Sequence, residues 1–306
     1  MADFRRYLPP EVVARLGRLE IRARAIVEGF LAGRHRSPYF GQSVEFVQHR
    51  QYTWGDDWRH VDWKVWARQD RLYVKQFEEE TNLRTTLLLD RSASMSYDAR
   101  GTSKFDVAAT LAACIAYFVL RQQDAVGLVT FDQVIRTRVP QRTQFRHLDS
   151  LLSALEQTEP KDKTGFLPIA QELVQLYPQR GLVIVLSDLF IDIGQIDAGL
   201  KCLRSHGHDV MVFHVLHDDE LDFPFHGPIR FEGLEVPRHL RCNPEAFREG
   251  YLQSLQQFLH GLRQACAASD VDYLLVRTSE PPDRALLAFL TKRSLARRWR
   301  RVGRKI

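Results

Sequence analysis

The sequence lacks a hydrophobic run long enough to cross a membrane. Its longest apolar stretch without a charged residue extends from Val107 to Leu120. This is shorter than the roughly 20 apolar residues that a membrane-spanning helix needs. The opening segment, MADFRRYLPP, has neither the apolar centre nor the small-residue cleavage site of a secretory signal. We therefore expect a cytoplasmic protein.

Cysteine is scarce, and the motifs of several enzyme classes are missing. The four cysteines lie far apart and form no CxxC pair, so we predict neither a disulfide framework nor a cysteine-based zinc site. The sequence has no internal repeat and no long flexible linker. It also has no Gly-x-Ser-x-Gly elbow and no P-loop, which argues against a serine hydrolase of that type and against intrinsic ATPase activity.

The length and charge of the chain further limit its domain organisation and its possible partners. Its 306 residues are 44% hydrophobic, which is enough for one large domain with an accessory region. The net charge is +5, and much of the excess lies in the C-terminal segment TKRSLARRWRRVGRK. Such a segment can contact nucleic acid or anionic lipid. A solvated helix end followed by a frayed tail is the simpler explanation, and we predict no nucleic-acid partner.

Three short runs in the second part of the chain are almost wholly apolar. They are residues 84–90, 125–131 and 182–187; Asp90 ends the first run and Asp188 follows the third. Continuous apolar strands that alternate with amphipathic helices predict an α/β fold with a doubly wound, mostly parallel sheet. Further predicted elements are strands at about 134–139, 210–216 and 271–276, and helices at about 103–122, 145–156, 167–177, 193–206, 244–269 and 283–293.

The first part of the chain has a different pattern. Residues 10–31 carry apolar side chains at helical spacing, whereas residues 33–77 are short, aromatic-rich pieces divided by turns. We therefore predict an N-terminal helix and a small β-containing accessory unit in 1–80, an α/β domain in 81–295 and a basic tail in 296–306. Alone, the accessory unit would bury too little apolar surface to be stable, so we expect it to dock on the α/β domain.

Four of the five tryptophans crowd into the run WGDDWRHVDWKVW of the accessory unit. Tryptophan and arginine dominate binding hot spots, so this run could be a docking surface for a partner. It could equally be an aromatic mini-core with ion pairs. We favour packing, because aromatic side chains more often supply burial energy than recognition. The tryptophans are Trp54, Trp58, Trp63 and Trp66.

Polar residues at the ends of two apolar strands form the candidate site. Asp90, Ser92 and Ser94 alternate along one loop, and Asp188 directly follows another strand. Thr164 lies between them at the junction of a loop and a helix. Ligands bind to doubly wound sheets beyond the carboxyl ends of the strands. Two carboxylates and three hydroxyls, without any soft ligand, suit Mg²⁺ or Mn²⁺.

These five residues, in this order, resemble the metal-ion-dependent adhesion site of von Willebrand factor A domains. The resemblance implies that the two serines bind the metal directly, and that Thr164 binds it directly or through water. It implies that Asp90 and Asp188 act largely through bridging water. A Glu or Asp of a partner protein would fill the open position. The expected function is therefore metal-dependent protein binding, without catalysis.

Residues 33–80 resemble the signature of the bacterial domain-of-unknown-function family fifty-eight, whose members carry this segment before an A-like domain. The resemblance covers residues 30–290. Genes of this family typically neighbour a MoxR-type AAA+ ATPase, which implies a chaperone-like adaptor in the assembly or maturation of a partner complex. Many relatives have N-terminal membrane helices. This sequence shows none, so we do not extend a membrane role to it.

The alternative function is a Mg²⁺-dependent phosphatase of the haloacid dehalogenase-like kind. Asp90, at the end of the first strand, would be its nucleophile. That chemistry requires a second Asp two residues later as general acid, and Ser92 stands there. We therefore favour the binding module.

Two other clusters of polar residues are predicted not to form a binding site. We expect the acidic run from Asp218 to Asp222 to be the solvated face of a loop. The histidines nearby lack the fixed Cys or carboxylate partners of a zinc site; they are His206, His208, His214 and His217.

Overall fold

The structure is a computed structural model that describes residues 83–99, 101–235, 238–282 and 284–289, together with 23, 26, 27, 48–52, 63, 65, 66 and 72–76. The chain divides into two compact units. One comprises Met1–Ala32 and Leu83–Ile306, and the other Gly33–Asn82.

In the smaller unit, two short strands form an antiparallel pair. Strand β1 (Gln48–Gln51) pairs antiparallel with β2 (Tyr73–Gln76), which agrees with the predicted β content. The rings of Trp63 and Trp66 meet edge to face with their centroids 6.0 Å apart, and both side chains are exposed. The other two tryptophans of the predicted cluster, Trp54 and Trp58, lie outside the described residues.

The larger unit alternates strands and helices along most of its length. Two single-turn 3₁₀ helices, Ala93–Ser96 and Pro244–Ala246, supplement the regular elements. In chain order the regular elements are β3 (Arg84–Asp90), α1 (Lys104–Arg121), β4 (Ala125–Phe131), β5 (Ile135–Arg142), α2 (His147–Glu156), α3 (Leu167–Leu176), β6 (Leu182–Ser187), α4 (Ile193–Ser205), β7 (Asp209–Leu216), α5 (Asp218–Asp222), β8 (Ile229–Glu232), β9 (His239–Cys242), α6 (Arg248–Ala268) and β10 (Asp272–Arg277).

Six of these strands form one sheet in the order β10-β7-β6-β3-β4-β5. All neighbours are parallel except β5, which runs antiparallel to β4 at one edge. In chain order, this sheet begins with β3 in its interior. Strands β4 and β5 are then added on one side of β3, and β6 is added on the other side. The strand order therefore reverses between β3 and β6. This confirms the predicted fold class, a doubly wound and mostly parallel α/β sheet.

Two apolar layers bury the two faces of the sheet. Successive side chains of a strand point to opposite faces. Leu87 and Leu89 of β3 pack in the layer that contains α1 and α2, whereas Leu88 packs in the layer that contains α3, α4 and α6. All three leucines are fully buried. Burial of each such side chain stabilises the fold by about 1.5–3 kcal/mol, which makes β3 a rigid support for the loop that follows it.

The described residues of the N-terminal helix belong to this core. Ala23 and Val27 are helical, and both are buried in the layer of α1 and α2. The Cys114 thiol of α1 donates a hydrogen bond to the Ala23 carbonyl oxygen at 3.9 Å. Our sequence analysis grouped this helix with the accessory unit, but these contacts place it in the larger unit.

The edge strand β5 differs from the central strands in its exposure. Its residues alternate between half-buried and exposed positions. The exposed positions hold Arg136, Arg138, Pro140 and Arg142. The pairing of β5 with β4 also contains two register shifts. This strand therefore presents charge, a proline and an irregular ladder at the edge of the sheet.

The acidic run after β7 is part of the folded structure, so the predicted solvated loop face is wrong. Residues 218–222 form the short helix α5, and Asp218 and Asp219 are buried. Asp218 Oδ1 accepts hydrogen bonds from Ser279 Oγ at 2.9 Å and from Arg277 at 3.2 Å. Arg277 is the last residue of β10 and Ser279 lies two residues beyond it, and the sequence pattern alone could not bring either of them next to α5.

Among the described residues, no helix is long and apolar enough to span a membrane.

Candidate metal centre

The two candidate aspartates lie together where the strand order of the sheet reverses. Asp90 is the last residue of β3, and Asp188 directly follows the neighbouring strand β6. Leu89 pairs with Leu186 in the parallel register, so both aspartates lie at the carboxyl edge of the sheet. Both side chains are fully buried. Two carboxylates in a buried position need compensating charge or hydrogen bonds.

The Asp90 carboxylate is held by three groups of its own chain. Its Oδ1 accepts a hydrogen bond from the Ser92 backbone N–H at 2.7 Å. Its Oδ2 accepts from the Thr164 hydroxyl at 2.9 Å and from the Ser187 hydroxyl at 2.5 Å. These bonds connect β3, β6 and the loop before α3. Two of the three donors, Ser92 and Thr164, were predicted site residues.

The loop after β3 places two hydroxyls beside each other. Ser92 precedes the 3₁₀ turn Ala93–Ser96, and its Oγ lies 3.1 Å from Ser94 Oγ. Ser92 is buried, whereas Ser94 and Thr164 are half-buried. The hydroxyl groups therefore line a path from the buried carboxylates towards the surface.

Backbone hydrogen bonds fix the loop that carries Thr164. The Ala93 N–H donates to the Asp162 carbonyl at 2.8 Å, and the Gly165 N–H donates to the Asp132 carbonyl at 3.0 Å. The Asp132 carboxylate accepts from the Val134 N–H and from Arg136, so it caps the turn between β4 and β5. All five predicted site residues are thus gathered at one place on the sheet edge.

A buried lysine, which our sequence analysis did not identify, contacts the site. Lys104 Nζ donates to Asp188 Oδ2 at 2.7 Å and to Glu220 Oε1 at 2.6 Å. Lys104 and Asp188 are fully buried, and the Glu220 side chain is 19% exposed. Burial alone lowers the pKa of Lys104, but the charges of Asp188 and Glu220 outweigh it and raise this pKa. Lys104 is therefore a fixed cation.

Helix α1 positions this lysine. Ser103 caps the helix and forms a capping box with Asp106: the Asp106 N–H donates to Ser103 Oγ at 3.0 Å, and Asp106 Oδ2 accepts from the Ser103 N–H at 3.1 Å. The box fixes where α1 begins, so Lys104 becomes its first residue. The Ser103–Asp106 capping motif is a local pattern that the sequence shows. The contacts of Lys104 with Asp188 and Glu220 join distant parts of the chain and leave no such pattern.

His214 supports the backbone of the site through both of its ring nitrogens. Its Nε2 lies 2.7 Å from the Asp188 carbonyl oxygen, and its Nδ1 lies 2.7 Å from the Tyr273 hydroxyl. Burial lowers the pKa of His214 to about 4, so the ring is neutral. With both nitrogens engaged, His214 orients the residue that bears the second carboxylate.

The electrostatics of the site favour the binding of a cation. Burial, and then the nearby charge of Asp188, raise the pKa of Asp90 to about 7. Asp188 Oδ1 is buried and has no hydrogen-bond partner among the described residues. In the same described part of the chain, no group of three or more His, Cys, Asp and Glu side chains could hold a metal. A metal here would therefore depend on the hydroxyls. Two carboxylates and three hydroxyls fit a hard divalent cation.

The fold and the site define an α/β protein whose polar loops meet at the reversal point of a doubly wound sheet. The family model described as "Protein of unknown function DUF58" matches residues 48–258. The chain therefore belongs to this family, as its resemblance predicted.

Relatives of similar length exist in mycobacteria. An uncharacterized protein of Mycobacterium tuberculosis and one of Mycobacterium bovis are each 26% identical to this chain over 294 residues. The alignments cover 94% of this chain and 90% of each relative.

Solved structures with partial likeness include a conserved hypothetical protein, BatB, from Bacteroides thetaiotaomicron. It is 20% identical with a TM-score of 0.47, and the match covers 69% of this chain and 98% of BatB. An aerotolerance-related membrane protein from Bacteroides fragilis is also 20% identical, with a TM-score of 0.45 and coverage of 69% and 99%. The SpRpn10 VWA domain is 14% identical, with a TM-score of 0.39 and coverage of 68% and 94%.

Proposed function

We propose that this chain is a protein-binding module that holds one Mg²⁺ or Mn²⁺ ion and uses it to bind a carboxylate of a partner protein. The ion would be held by Asp90, Ser92, Ser94, Thr164 and Asp188. The observation that carries the proposal is the Asp188 Oδ1 atom, which is buried without a partner among the described residues, at the same sheet edge as Asp90 and the hydroxyls that bond it. An orphaned buried carboxylate oxygen is costly unless a cation or a donor satisfies it.

The residues of the site have different roles in the proposed binding of the ion. Asp90 receives the hydrogen bonds that fix the loops, and Lys104 neutralises the other oxygen of Asp188. Ser94 and Thr164 are half-buried, so an ion beside them would be reachable from the surface. When bound, the metal supplies a Lewis-acid bridge between hard oxygen atoms. The protein residues orient it and shield its inner side from water.

We propose binding without catalysis because the chain itself engages Asp90. Both oxygens of this carboxylate accept hydrogen bonds, from Ser92 N–H, Thr164 and Ser187. A nucleophilic Asp, as in the phosphatase alternative, would need a free oxygen directed at the substrate. Ser92 also stands where that chemistry needs a general acid. A phosphatase assay with purified protein and Mg²⁺ should therefore show no turnover.

The two serines of the site offer a direct test against a neighbour in the same turn. Ser94→Ala is expected to weaken Mn²⁺ binding at least tenfold in isothermal titration, because it removes a hydroxyl ligand. Ser96→Ala is the matched control, since Ser96 is exposed and its hydroxyl donates to the Ala93 carbonyl oxygen of the same turn. Ser96→Ala should bind like the wild type. Equal binding by all three proteins would contradict the assignment of the site.

The partner is proposed from the family resemblance. We propose that the chain works in the cytoplasm as an adaptor with a MoxR-type AAA+ ATPase in the assembly or maturation of a partner complex. A pull-down with the full chain in Mg²⁺, analysed by mass spectrometry, should recover such an ATPase or its client. The same proteins should be lost in EDTA and with Asp90→Ala. Recovery that is unchanged in EDTA would contradict metal-dependent capture.

A further inference from the structure

A polar pocket lies near the carboxyl end of β4, on the face of the sheet that α2 covers. Its volume is about 380 Å³, which is within the range of small-molecule sites. Strand β4 supplies Thr130, and the edge strand β5 supplies Thr137, the direct cross-strand partner of Thr130. Ser150 and Ser153 of α2 also line the pocket, and so does Arg91 from the loop after β3. The lining is therefore rich in hydroxyl groups.

Thr130 forms the most deeply buried part of this lining. Val126 and Leu128 of the same strand pack in the layer of α1 and α2, so Thr130, two residues after Leu128, points to the same face. The Thr130 side chain is fully buried. Its Oγ1 atom has no hydrogen-bond partner among the described residues. A buried hydroxyl is unfavourable unless a partner satisfies it, so this atom indicates a ligand that reaches the floor of the pocket.

Arg91 is the cation of the pocket, and both its backbone and its side chain are held in place. Its N–H donates to the Phe131 carbonyl at 2.8 Å, and its carbonyl accepts from the Lys161 N–H at 2.7 Å. Its Nε and Nη2 donate to the Glu159 carbonyl oxygen at 3.1 and 2.6 Å. Its Nη1 lies 3.7 Å from Asp132 Oδ2, which is beyond hydrogen-bond distance. A guanidinium has five N–H donors, so those of Nη1 remain for a ligand.

The charges around the pocket favour an anion. The Arg91 side chain is 16% exposed, and the buried Asp132 near it is already paired with Arg136 at 2.7 Å. Glu159, the acidic residue among the described residues that line the pocket, is 74% exposed and pairs with Lys161. Water and salt screen this exposed pair, whereas the inner cation is screened much less. The inner side of the pocket thus offers a cation and hydroxyl donors.

We propose that this pocket binds the phosphate group of a small ligand through the Arg91 guanidinium and the Thr130 hydroxyl. Arginine forms short, charge-assisted hydrogen bonds to phosphate. A phosphate group has more acceptor oxygens than a carboxylate, which suits a lining with several hydroxyls. The pocket lies on the α2 side of the sheet and uses none of the five proposed metal ligands, so the inference does not depend on the proposed function.

Isothermal titration of the metal-free full chain with sodium phosphate, at constant ionic strength, tests the proposal. Arg91→Gln is expected to weaken binding at least about tenfold, because a charge-assisted hydrogen bond is lost. Thr130→Val keeps the shape of the side chain and removes only the hydroxyl, so it should weaken binding roughly fivefold. Its melting temperature should not fall below that of the wild type, because the variant also removes an unsatisfied buried group.

Thr85→Val is the matched control for Thr130→Val. Thr85 lies on β3 and is fully buried, and its Oγ1 atom also lacks a partner among the described residues. It does not line the pocket. Thr85→Val should therefore bind phosphate like the wild type.

Glycerol 3-phosphate is the second titrant, and it distinguishes two sources of the phosphate group. Tighter binding than that of inorganic phosphate would support an ester whose organic part fills the remaining space, and equal binding would support the free ion. Absence of saturable binding of either compound by the wild type would overturn the proposal. Equal affinity in all four proteins would overturn it too. The Mn²⁺ titrations of the metal centre are separate, so both results would leave the proposed function intact.

Discussion

Replacement of Lys104 with Met is expected to lower the free energy of unfolding by about 3–5 kcal/mol in the absence of metal. The Lys104 ammonium lies 2.7 Å from Asp188 and 2.6 Å from Glu220, and the Lys104 and Asp188 side chains are fully buried. Removal of this cation leaves the Asp188 carboxylate buried without this partner. Met has a similar length, so loss of charge outweighs loss of packing.

Urea denaturation with and without Mg²⁺ measures this effect. Lys201→Met is the matched control, because Lys201 pairs with Asp197 on the surface of α4 and is 62% exposed. Surface pairs contribute only about 0–1 kcal/mol. Saturating Mg²⁺ should restore part of the stability of Lys104→Met, because an ion that binds only the folded state stabilises it. A loss no larger than that of Lys201→Met would contradict the role of Lys104.

The second large effect concerns Asp188. Asp188→Asn is expected to reduce the affinity for Mn²⁺ roughly 10- to 100-fold, because the variant removes the negative charge that would hold the ion through its bound water. Isothermal titration provides the measurement. Asp132→Asn is the matched control: Asp132 is also a buried carboxylate that follows a sheet strand, but it bonds Arg136 and the Val134 N–H. If both variants bound equally, Asp188 would have no special part in the site.

Much of the fold was predictable because apolar strands carry a strong local signal. The runs Arg84–Asp90, Ala125–Phe131 and Leu182–Ser187 were predicted with the bounds that the structure shows. Their burial on both faces makes nearly every position apolar. The edge strand β5 was also predicted in part, at 134–139 instead of Ile135–Arg142. Its arginines and proline weaken the pattern at its end.

The insertion between β7 and α6 was predicted less well. The hairpin of β8 and β9 consists of two strands of only four residues each, so the alternation of apolar and polar residues is too short to stand out in the sequence. The acidic helix α5 depends on tertiary partners such as Arg277 and Ser279. Local propensity cannot reveal such pairs, because they form only when distant segments meet.

The candidate site was likewise predictable where the sequence carries a local signal and was missed where it depends on tertiary contacts. Asp90, Ser92, Ser94, Thr164 and Asp188 were chosen from their order in the sequence, and the structure brings them to one sheet edge. Ser187 was missed although it directly precedes Asp188, since its hydroxyl was read as part of the strand. Lys104 and Glu220 carry no local signal. Their roles come from contacts across more than one hundred residues of chain, as for Lys104 and Glu220.

The exposed side of β5 limits how another chain could add to this edge of the sheet. An open edge strand offers unpaired N–H and C=O groups, on which another chain can add a strand. Pro140 has no N–H to offer, and the register shifts against β4 make the ladder irregular. The charged side chains of Arg136 and Arg138 further oppose sheet extension between molecules. Extension of the sheet through this edge is therefore disfavoured, and the sheet can remain a fixed support while the loops above it change in sequence.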